Sequence, residues 1–168
     1  VNTITVVGYV WDFKVRDFML VDDFDFYTST TALTNVWKEI VQADVYLNEN
    51  ASYAIDGNSM RFEYFNKSGG KYSETKRTYS TNQDWSYAGK SVKAMEIDFF
   101  GDKDSGVDPP MYVKLHEGTK TSAQVNYYDA NDVNVESQHA WDIPLASFTG
   151  VDLSKINGIT IGIGSTAT

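Results

Sequence analysis

One segment, Asp56–Phe100, decides the fold class; it reads DGNSMRFEYFNKSGGKYSETKRTYSTNQDWSYAGKSVKAMEIDFF. Apolar and polar residues alternate over Ser59–Phe65 near its start and over Lys93–Phe99 at its end. Successive side chains of a strand point to opposite faces, so each of these strands has one apolar and one charged face. A period of two with one polar face is typical of antiparallel sheet. The expected core-facing residues of these two strands are Met60, Phe62, Tyr64, Met95, Ile97 and Phe99.

The same pattern, bounded by clusters of Gly, Asn, Asp and Ser, predicts further strands along the chain. These strands are Ile4–Val15, Leu20–Tyr27, Asp44–Leu47, Lys76–Ser80, Met111–His116, Ala123–Tyr128, His139–Pro144 and Gly158–Ile163. The spacing of apolar residues over Asn35–Ala43 fits either a short helix or a strand. About ten short strands without interleaved helices predict an all-β fold, an antiparallel two-sheet sandwich.

Composition narrows the class of protein and of partner. The 168 residues suit one domain with a real core, and 42% apolar and 14% aromatic residues are ample for folding. A formal charge of −9 with scattered Lys and Arg argues against a nucleic-acid partner. The sequence contains no apolar run near the length of a membrane span, and no Cys for disulfides or thiolate metal sites. A negative surface suits an extracellular domain and cation binding, although simple solubility explains it equally well.

Short motifs along Leu20–Gly164 carry a resemblance to a known family. In chain order they read LVDDFDFY, NSM, EYFN, KYSETKRTY, QDW, KSVKAM, MYVKLHE, AWDIPLASF and VDL, followed by Ile159–Gly164. Their order and spacing resemble LamG-like (concanavalin-like) jelly-roll domains of large extracellular bacterial proteins, which are relatives of jelly-roll carbohydrate-binding modules. The resemblance implies a jelly-roll sandwich over residues 20–168 and an extracellular or cell-surface location.

The resemblance also draws attention to the N-terminal segment, residues 1–19. Members of the family have a final strand after the late Ile-Gly-Ile-Gly segment, and Tyr9–Val15 resembles that strand placed in front. Trp11, Phe13 and Val15 would form its buried face by alternation. The strand either closes its own sandwich or completes that of a neighbour, as donor strands do. We favour the arrangement in which the strand completes a neighbouring molecule. The third alternative is that residues 1–19 are a simple linker strand.

Catalysis has little support in the sequence. Glu96 and Asp98 lie two residues apart on one strand face, with Cβ atoms about 6.5–7 Å apart, a spacing that a glycosidase pair tolerates. The same spacing is common on solvated sheet faces. His116 and His139 are the only histidines, and no nucleophile-elbow motif is present. We therefore predict that the chain is not an enzyme.

A structural calcium ion is implied by the resemblance, because related jelly rolls commonly hold one. Calcium binds six to eight oxygens from carboxylates and carbonyls. Asp23 and Asp25 share a face of the predicted opening strand, and Asp56 begins a Gly-Asn turn. Asp12, on the displaced strand, and Asp142 are the further candidate ligands. The alternative is that these acids only protect sheet edges.

Sugar binding needs aromatic faces for stacking and planar polar groups around them. Residues that alternate with the predicted core positions should face outward, and if their strands share one sheet they form a shallow groove. The candidate glycan-binding residues are Tyr112, His116, Gln124, Tyr128, Glu96 and Asp98. The sequence thus predicts a non-catalytic module that binds a polysaccharide or cell-surface glycan. The alternative is a structural repeat or filament subunit that self-associates by strand exchange.

Overall fold

The computed structural model describes residues 20–54, 57–66, 72–86, 93–104, 111–118 and 123–165. One α-helix, α1 (Thr30–Val36), precedes nine strands in these ranges. The strands are β1 (Trp37–Val41), β2 (Ala43–Asn48), β3 (Ser59–Tyr64), β4 (Tyr72–Gln83), β5 (Ala94–Phe100), β6 (Met111–Glu117), β7 (Gln124–Asn126), β8 (Gln138–Pro144) and β9 (Ile156–Gly164). Short 3₁₀ turns occupy Ala51–Tyr53, Ala130–Asn134, Leu145–Ser147 and Leu153–Lys155.

The strands form three antiparallel sheets in two layers. One layer is a five-stranded sheet in the order β1-β4-β9-β6-β7. Two two-stranded sheets, β2-β3 and β5-β8, pack against its inner face, since residues of all three sheets belong to one hydrophobic cluster. The predicted all-β antiparallel sandwich is therefore confirmed.

Strand alternation builds the core as expected. Met111, Val113 and Leu115 of β6 are buried and lie across from Ile163, Ile161 and Ile159 of β9, respectively. Trp85 and Trp141 are both buried in the same cluster.

Eight of the predicted strands correspond in order to β2–β9, with ends that shift by a few residues. The ambiguous segment Asn35–Ala43 contains the end of α1 and the whole of β1. Ser29 caps α1 by accepting a hydrogen bond from the Ala32 amide at 3.2 Å. At seven residues, the one α-helix of the described ranges is too short to cross a bilayer.

The prediction of a strand over Leu20–Tyr27 was wrong. The Asp22 carboxylate accepts a hydrogen bond from the Phe24 amide at 3.0 Å, and Phe24 has a left-handed backbone with φ of 65°. The Tyr27 amide then donates a hydrogen bond to the Phe24 carbonyl at 3.3 Å. Because Asp side chains offer the backbone a local alternative to a sheet ladder, this segment forms a turn.

The predicted strand Ile4–Val15, within the N-terminal segment 1–19, lies outside the described residues. Its separation from a domain over 20–168 stays a prediction.

Candidate functional site

The outer surface of the five-stranded sheet carries a row of polar side chains that we call the polar face. Strand register places Tyr112 of β6 between Gly162 of β9 and Asn126 of β7. Lys114 lies in the next row, between Thr160 of β9 and Gln124 of β7. Further along β6, His116 pairs with Gly158. Four of the six predicted glycan residues, Tyr112, His116, Gln124 and Tyr128, thus come from two neighbouring strands and the residues that follow β7.

Tyr112 is on the predicted face, but its side chain is fully buried. Its hydroxyl donates to Oε1 of Glu74 at 2.8 Å, and burial together with this carboxylate raises the pKa of the phenol. The ring lies against Gly162, where an added Cβ would be 2.3 Å from Cζ of Tyr112. The absent side chain of Gly162 therefore makes room for the Tyr112 ring, and because that ring is fully buried it has no exposed face for stacking.

Lys114 completes a small network around Glu74. Its Nζ donates to Glu74 Oε1 at 2.5 Å and lies 5.0 Å from the Tyr112 ring centroid. Glu74 is only 8% exposed, and the Lys114 charge and the Tyr112 hydroxyl together compensate its carboxylate for the lost hydration. The centre of the polar face is therefore rigid and paired.

His116 is neutral at physiological pH. Its Nε2 lies 2.8 Å from Oγ1 of Thr160, and burial, followed by the positive charges of Lys76 and Lys114, lowers its pKa from 6.5 to about 4. A neutral imidazole offers one donor and one acceptor instead of two donors. This part of the face can therefore both give and receive hydrogen bonds.

The β7 end of the polar face has an exposed aromatic ring. Tyr128 is 81% exposed, and its ring centroid is 4.5 Å from that of Tyr127. Tyr127 is buried, and its hydroxyl donates a hydrogen bond to Asp132 Oδ2 at 2.6 Å. The Tyr128 ring therefore packs on a side chain that is held in place. Beside it, Gln124 Nε2 donates to Asn126 Oδ1 at 2.7 Å. An exposed ring and two carboxamides thus occur within five residues of the chain, and both kinds of group are used in sugar binding.

Glu96 and Asp98 do not join this face. Both are exposed on β5, whose partner is β8 in the opposite layer, so they lie on a different sheet from Tyr112 and His116. The condition that their strand shares one sheet with β6 is therefore not met, because strand partners depend on contacts between residues far apart in the chain. They do share one face with each other, and Glu96 lies across from Asp142.

The predicted calcium ligands are partly brought together. Asp25 Oδ1 accepts a hydrogen bond from the Asn58 amide at 2.7 Å, which joins it to the predicted turn. Asp23 Oδ1 accepts a hydrogen bond from the Asp25 amide at 3.2 Å. Asp142 lies on β8, a different element of the fold. Asp12 and Asp56 are outside the described residues. Over the ranges that the structure describes, no group of three or more Asp, Glu, His or Cys side chains is placed to hold a metal ion. A calcium ion near Asp25 stays a prediction.

Asp22 is the acidic residue that the sequence reasoning missed. Its Oδ2 accepts hydrogen bonds from the Tyr27 hydroxyl at 2.7 Å and from Trp37 Nε1 at 2.8 Å, and pairs with Arg77 at 2.5 Å. The Asp22 side chain is only 8% exposed. Three acids occur within four residues of the chain, and no sequence signal distinguishes the buried one from its neighbours.

Comparison with known proteins supports the fold alone. No family model and no curated protein matches the chain. Among solved structures, an arabinose-bound GH51 α-L-arabinofuranosidase (MgGH51) is similar, with a TM-score of 0.56 and 17% sequence identity. The similarity covers 84% of this chain and 22% of the arabinofuranosidase chain. The chain thus resembles one part of a glycoside hydrolase chain, and at this identity the similarity concerns the fold alone.

Proposed function

We propose that this protein is a non-catalytic, extracellular β-sandwich module of LamG-like type that binds a polysaccharide or cell-surface glycan through its polar face. The motif resemblance supports this reading. The similar solved structure is an arabinose-bound enzyme, which suggests sugars as the class of ligand to test. Fold does not by itself decide function, so the argument depends on the site.

One observation carries the proposal: Tyr128 is 81% exposed at the end of the polar face. An exposed aromatic ring offers a flat apolar face on which the C–H surface of a pyranose or furanose can stack. Gln124 and Asn126 lie on the strand that leads to Tyr128, and the carboxamides match the donors and acceptors of sugar hydroxyls. The stacking position is therefore at the β7 end and not over Tyr112.

The proposal excludes hydrolysis by the carboxylate pair. A general acid at neutral pH needs a carboxyl group shielded from water. Glu96 and Asp98 are exposed on an open sheet face in the opposite layer, so they lack that shielding. We expect no release of reducing sugar from any polysaccharide; turnover that is lost in Glu96→Gln or Asp98→Asn would contradict this expectation.

Affinity electrophoresis in gels with soluble polysaccharides, arabinose-containing ones among them, tests the binding function. Wild-type protein should be retarded in at least one gel, and Tyr128→Ala should weaken the affinity about tenfold, which corresponds to roughly 1.4 kcal/mol of stacking. The matched control is Tyr46→Ala on β2, a tyrosine that is 39% exposed in the other layer. Equal affinities of the two variants, or no retardation in any gel, would refute the proposal.

A second candidate function is structural: a repeat or filament subunit joined by strand exchange, in which glycan binding is vestigial. A separate observation favours it. Within the described residues, a groove separates the small sheets β2-β3 and β5-β8. Sedimentation velocity over about 1–100 μM protein would show growing species if strands are exchanged between molecules, and a constant monomer if they are not.

A further inference from the structure

Three lysines lie in one line across the outer surface of the five-stranded sheet. Lys38 of β1 lies directly across from Lys76 of β4, and Lys76 lies across from Thr160 of β9. Thr160 in turn pairs with Lys114 of β6, whose partner on β7 is Gln124. We call these five residues the basic row. Because neighbouring strands are about 4.8 Å apart, the row extends about 19 Å across the polar face and ends on β7.

The two lysines at the β1 side of the basic row have no acidic partner. Lys38 is exposed and Lys76 is half-buried. Neither of them forms an ion pair with any residue that the structure describes. Like charges directly across from each other in a sheet repel, since their Cβ atoms are only about 4.5–5.5 Å apart. A bound anion between the two ammonium groups would relieve this repulsion.

The carboxylates closest to these lysines along the chain are already engaged. Glu74 is on the same face of β4 as Lys76, but it accepts hydrogen bonds from Tyr112 and Lys114. Glu39, which follows Lys38, accepts a hydrogen bond from the Val45 amide of β2 at 3.2 Å. The basic row therefore keeps an excess of positive charge on a chain whose formal charge is −9.

A glycine on the central strand makes room for the Lys76 side chain. A Cβ added at Gly158 of β9 would be 3.3 Å from Cε of Lys76 and 3.8 Å from Cβ of His116. The Lys76 stem therefore lies over Gly158, on the side of β4 that faces His116. Burial, followed by the positive charges of Lys76 and Lys114, lowers the pKa of His116 to about 4. The electrostatic potential over this part of the polar face is thus positive.

We propose that the glycan of the polar face is an acidic polysaccharide, one whose sugars carry carboxylate or sulfate groups, and that Lys38 and Lys76 bind those groups. This inference rests on the proposed function and names the class of its ligand. Carboxamides such as Gln124 and Asn126 can bind the hydroxyls of a neutral sugar, which gains little from two unpaired ammonium groups. An acidic sugar gains charge-assisted hydrogen bonds from them, which are about twice as strong as neutral ones.

The spacing of the charges favours a glycan over a nucleic acid. DNA carries one negative charge per about 1.7 Å of helix axis, and its binding requires clustered Lys and Arg. In the basic row, Lys38 and Lys76 are about 4.8 Å apart, and Lys76 and Lys114 are about 9.6 Å apart, from the strand spacing. Charges this sparse match a chain with one acidic group on each sugar. The exposed ring of Tyr128, beyond the β7 end of the row, offers the stacking position.

Biolayer interferometry on immobilised polysaccharides tests the charge of the ligand, with pairs of chains that share a backbone. Polygalacturonate is compared with its fully methyl-esterified form, and dextran sulfate with dextran. We expect wild-type protein to bind at least one charged chain about tenfold more tightly than its uncharged counterpart, and the affinity to fall as salt is raised from about 0.05 to about 0.5 M. The two charged chains distinguish carboxylate from sulfate as the group that is recognised.

Substitutions that remove one charge and keep most of the stem test the residues. Lys38→Gln and Lys76→Gln should each weaken binding of the charged chain about three- to fivefold, the effect of one solvent-accessible ion pair. The matched control is Lys103→Gln, which changes the net charge equally. Lys103 is exposed after β5 in the other layer, so this variant should keep its affinity within about twofold of the wild type.

The outcomes separate this inference from the glycan function. Equal affinities of Lys38→Gln, Lys76→Gln and Lys103→Gln would overturn the inference. So would equal binding of charged and uncharged chains that Tyr128→Ala weakens, a result that would leave the glycan function standing. No binding to any polysaccharide, charged or uncharged, would refute the glycan function and the inference with it. Tighter binding to a single-stranded oligothymidylate than to either charged polysaccharide would overturn the assignment to a glycan.

Nuclear magnetic resonance gives an independent readout of where the ligand lies. The chain has two histidines, and His116→Gln assigns their imidazole C–H resonances. His116 is close to Lys76 and Lys114, whereas His139 lies on β8 in the other layer and serves as an internal reference. At pH 7, a short fragment of the charged chain that binds should shift the His116 resonance and leave that of His139 unchanged. No shift of His116 at saturation, or equal shifts of both, would overturn the placement on the basic row.

Discussion

Replacing Asp22 by Ala should destabilise this protein far more than replacing either of the acids that follow it. The Asp22 carboxylate accepts hydrogen bonds from Tyr27, Trp37 and the Phe24 amide, and it pairs with Arg77. Trp37 is 1% exposed, so its indole N–H has no access to bulk water once the acceptor is removed. This one side chain therefore links the turn that opens the domain to strands β1 and β4.

The size of this loss of stability follows from the Arg77 charge that Asp22→Ala leaves without its partner. Breaking a buried ion pair by removing one partner costs about 3–5 kcal/mol. The Arg77 side chain is 24% exposed and keeps a hydrogen bond to the Val21 carbonyl at 2.7 Å, so part of its charge is still solvated. We therefore expect the lower end, about 3 kcal/mol, for Asp22→Ala. Asp22→Asn keeps an acceptor oxygen but loses the charge, and should cost about 1–2 kcal/mol.

Equilibrium urea unfolding and thermal melting measure the effect. For a chain of this length, about 3 kcal/mol corresponds to a drop of roughly 6–12 °C in melting temperature. The matched control is Asp25→Ala, which removes an exposed carboxylate with one hydrogen bond to the Asn58 amide and should cost under about 1 kcal/mol.

A double substitution distinguishes two effects of Asp22→Ala: the loss of the attraction to Arg77, and the cost of leaving the Arg77 charge without its partner. Removing Arg77 as well, in Asp22→Ala with Arg77→Leu, should recover part of the stability lost in Asp22→Ala alone. Equal free energies of unfolding for Asp22→Ala and Asp25→Ala would refute this reasoning. So would a double variant in which the two losses simply add.

Three further predictions follow from individual contacts. Because burial holds the pKa of His116 at about 4 in the folded protein, against 6.5 in the unfolded chain, the unfolded state binds more protons between these values. The contribution of neutral His116 to the free energy of unfolding should be fully present above pH 6.5 and fall by about 1–2 kcal/mol as the pH drops to 4, a figure reduced because the ring is half-exposed. In His116→Gln, the free energy of unfolding measured with urea should vary less over this pH range. Gly162→Ala would bring a methyl group against the Tyr112 ring and should lower stability by about 1–3 kcal/mol; an unchanged melting temperature would contradict the packing described for that ring. If calcium binds near Asp25, a chelator should lower the melting temperature of the wild type and leave that of Asp25→Asn nearly unaffected, whereas no effect on the wild type would exclude a stabilising ion.

Strand positions and faces were predictable because alternation is local. Met60 and Phe62, or Met95 and Ile97, differ from their neighbours in polarity, and a strand turns every second side chain the same way. The same logic placed Tyr112 and His116 on one outer face. It failed over Leu20–Tyr27, where apolar residues alternate with acids but local hydrogen bonds to Asp22 favour a turn.

The sequence by itself determined the all-β class, the order of the strands along the chain and the side of each strand that faces the core. Only the tertiary structure decided which strands are neighbours, and hence that Glu96 and Asp98 lie in a different layer from Tyr112. It also decided that Asp22 is the buried acid and that β3 and β5 border a groove. The physical reason is that alternation depends on adjacent residues, whereas strand partners, burial and open edges depend on contacts between residues that are far apart in the chain.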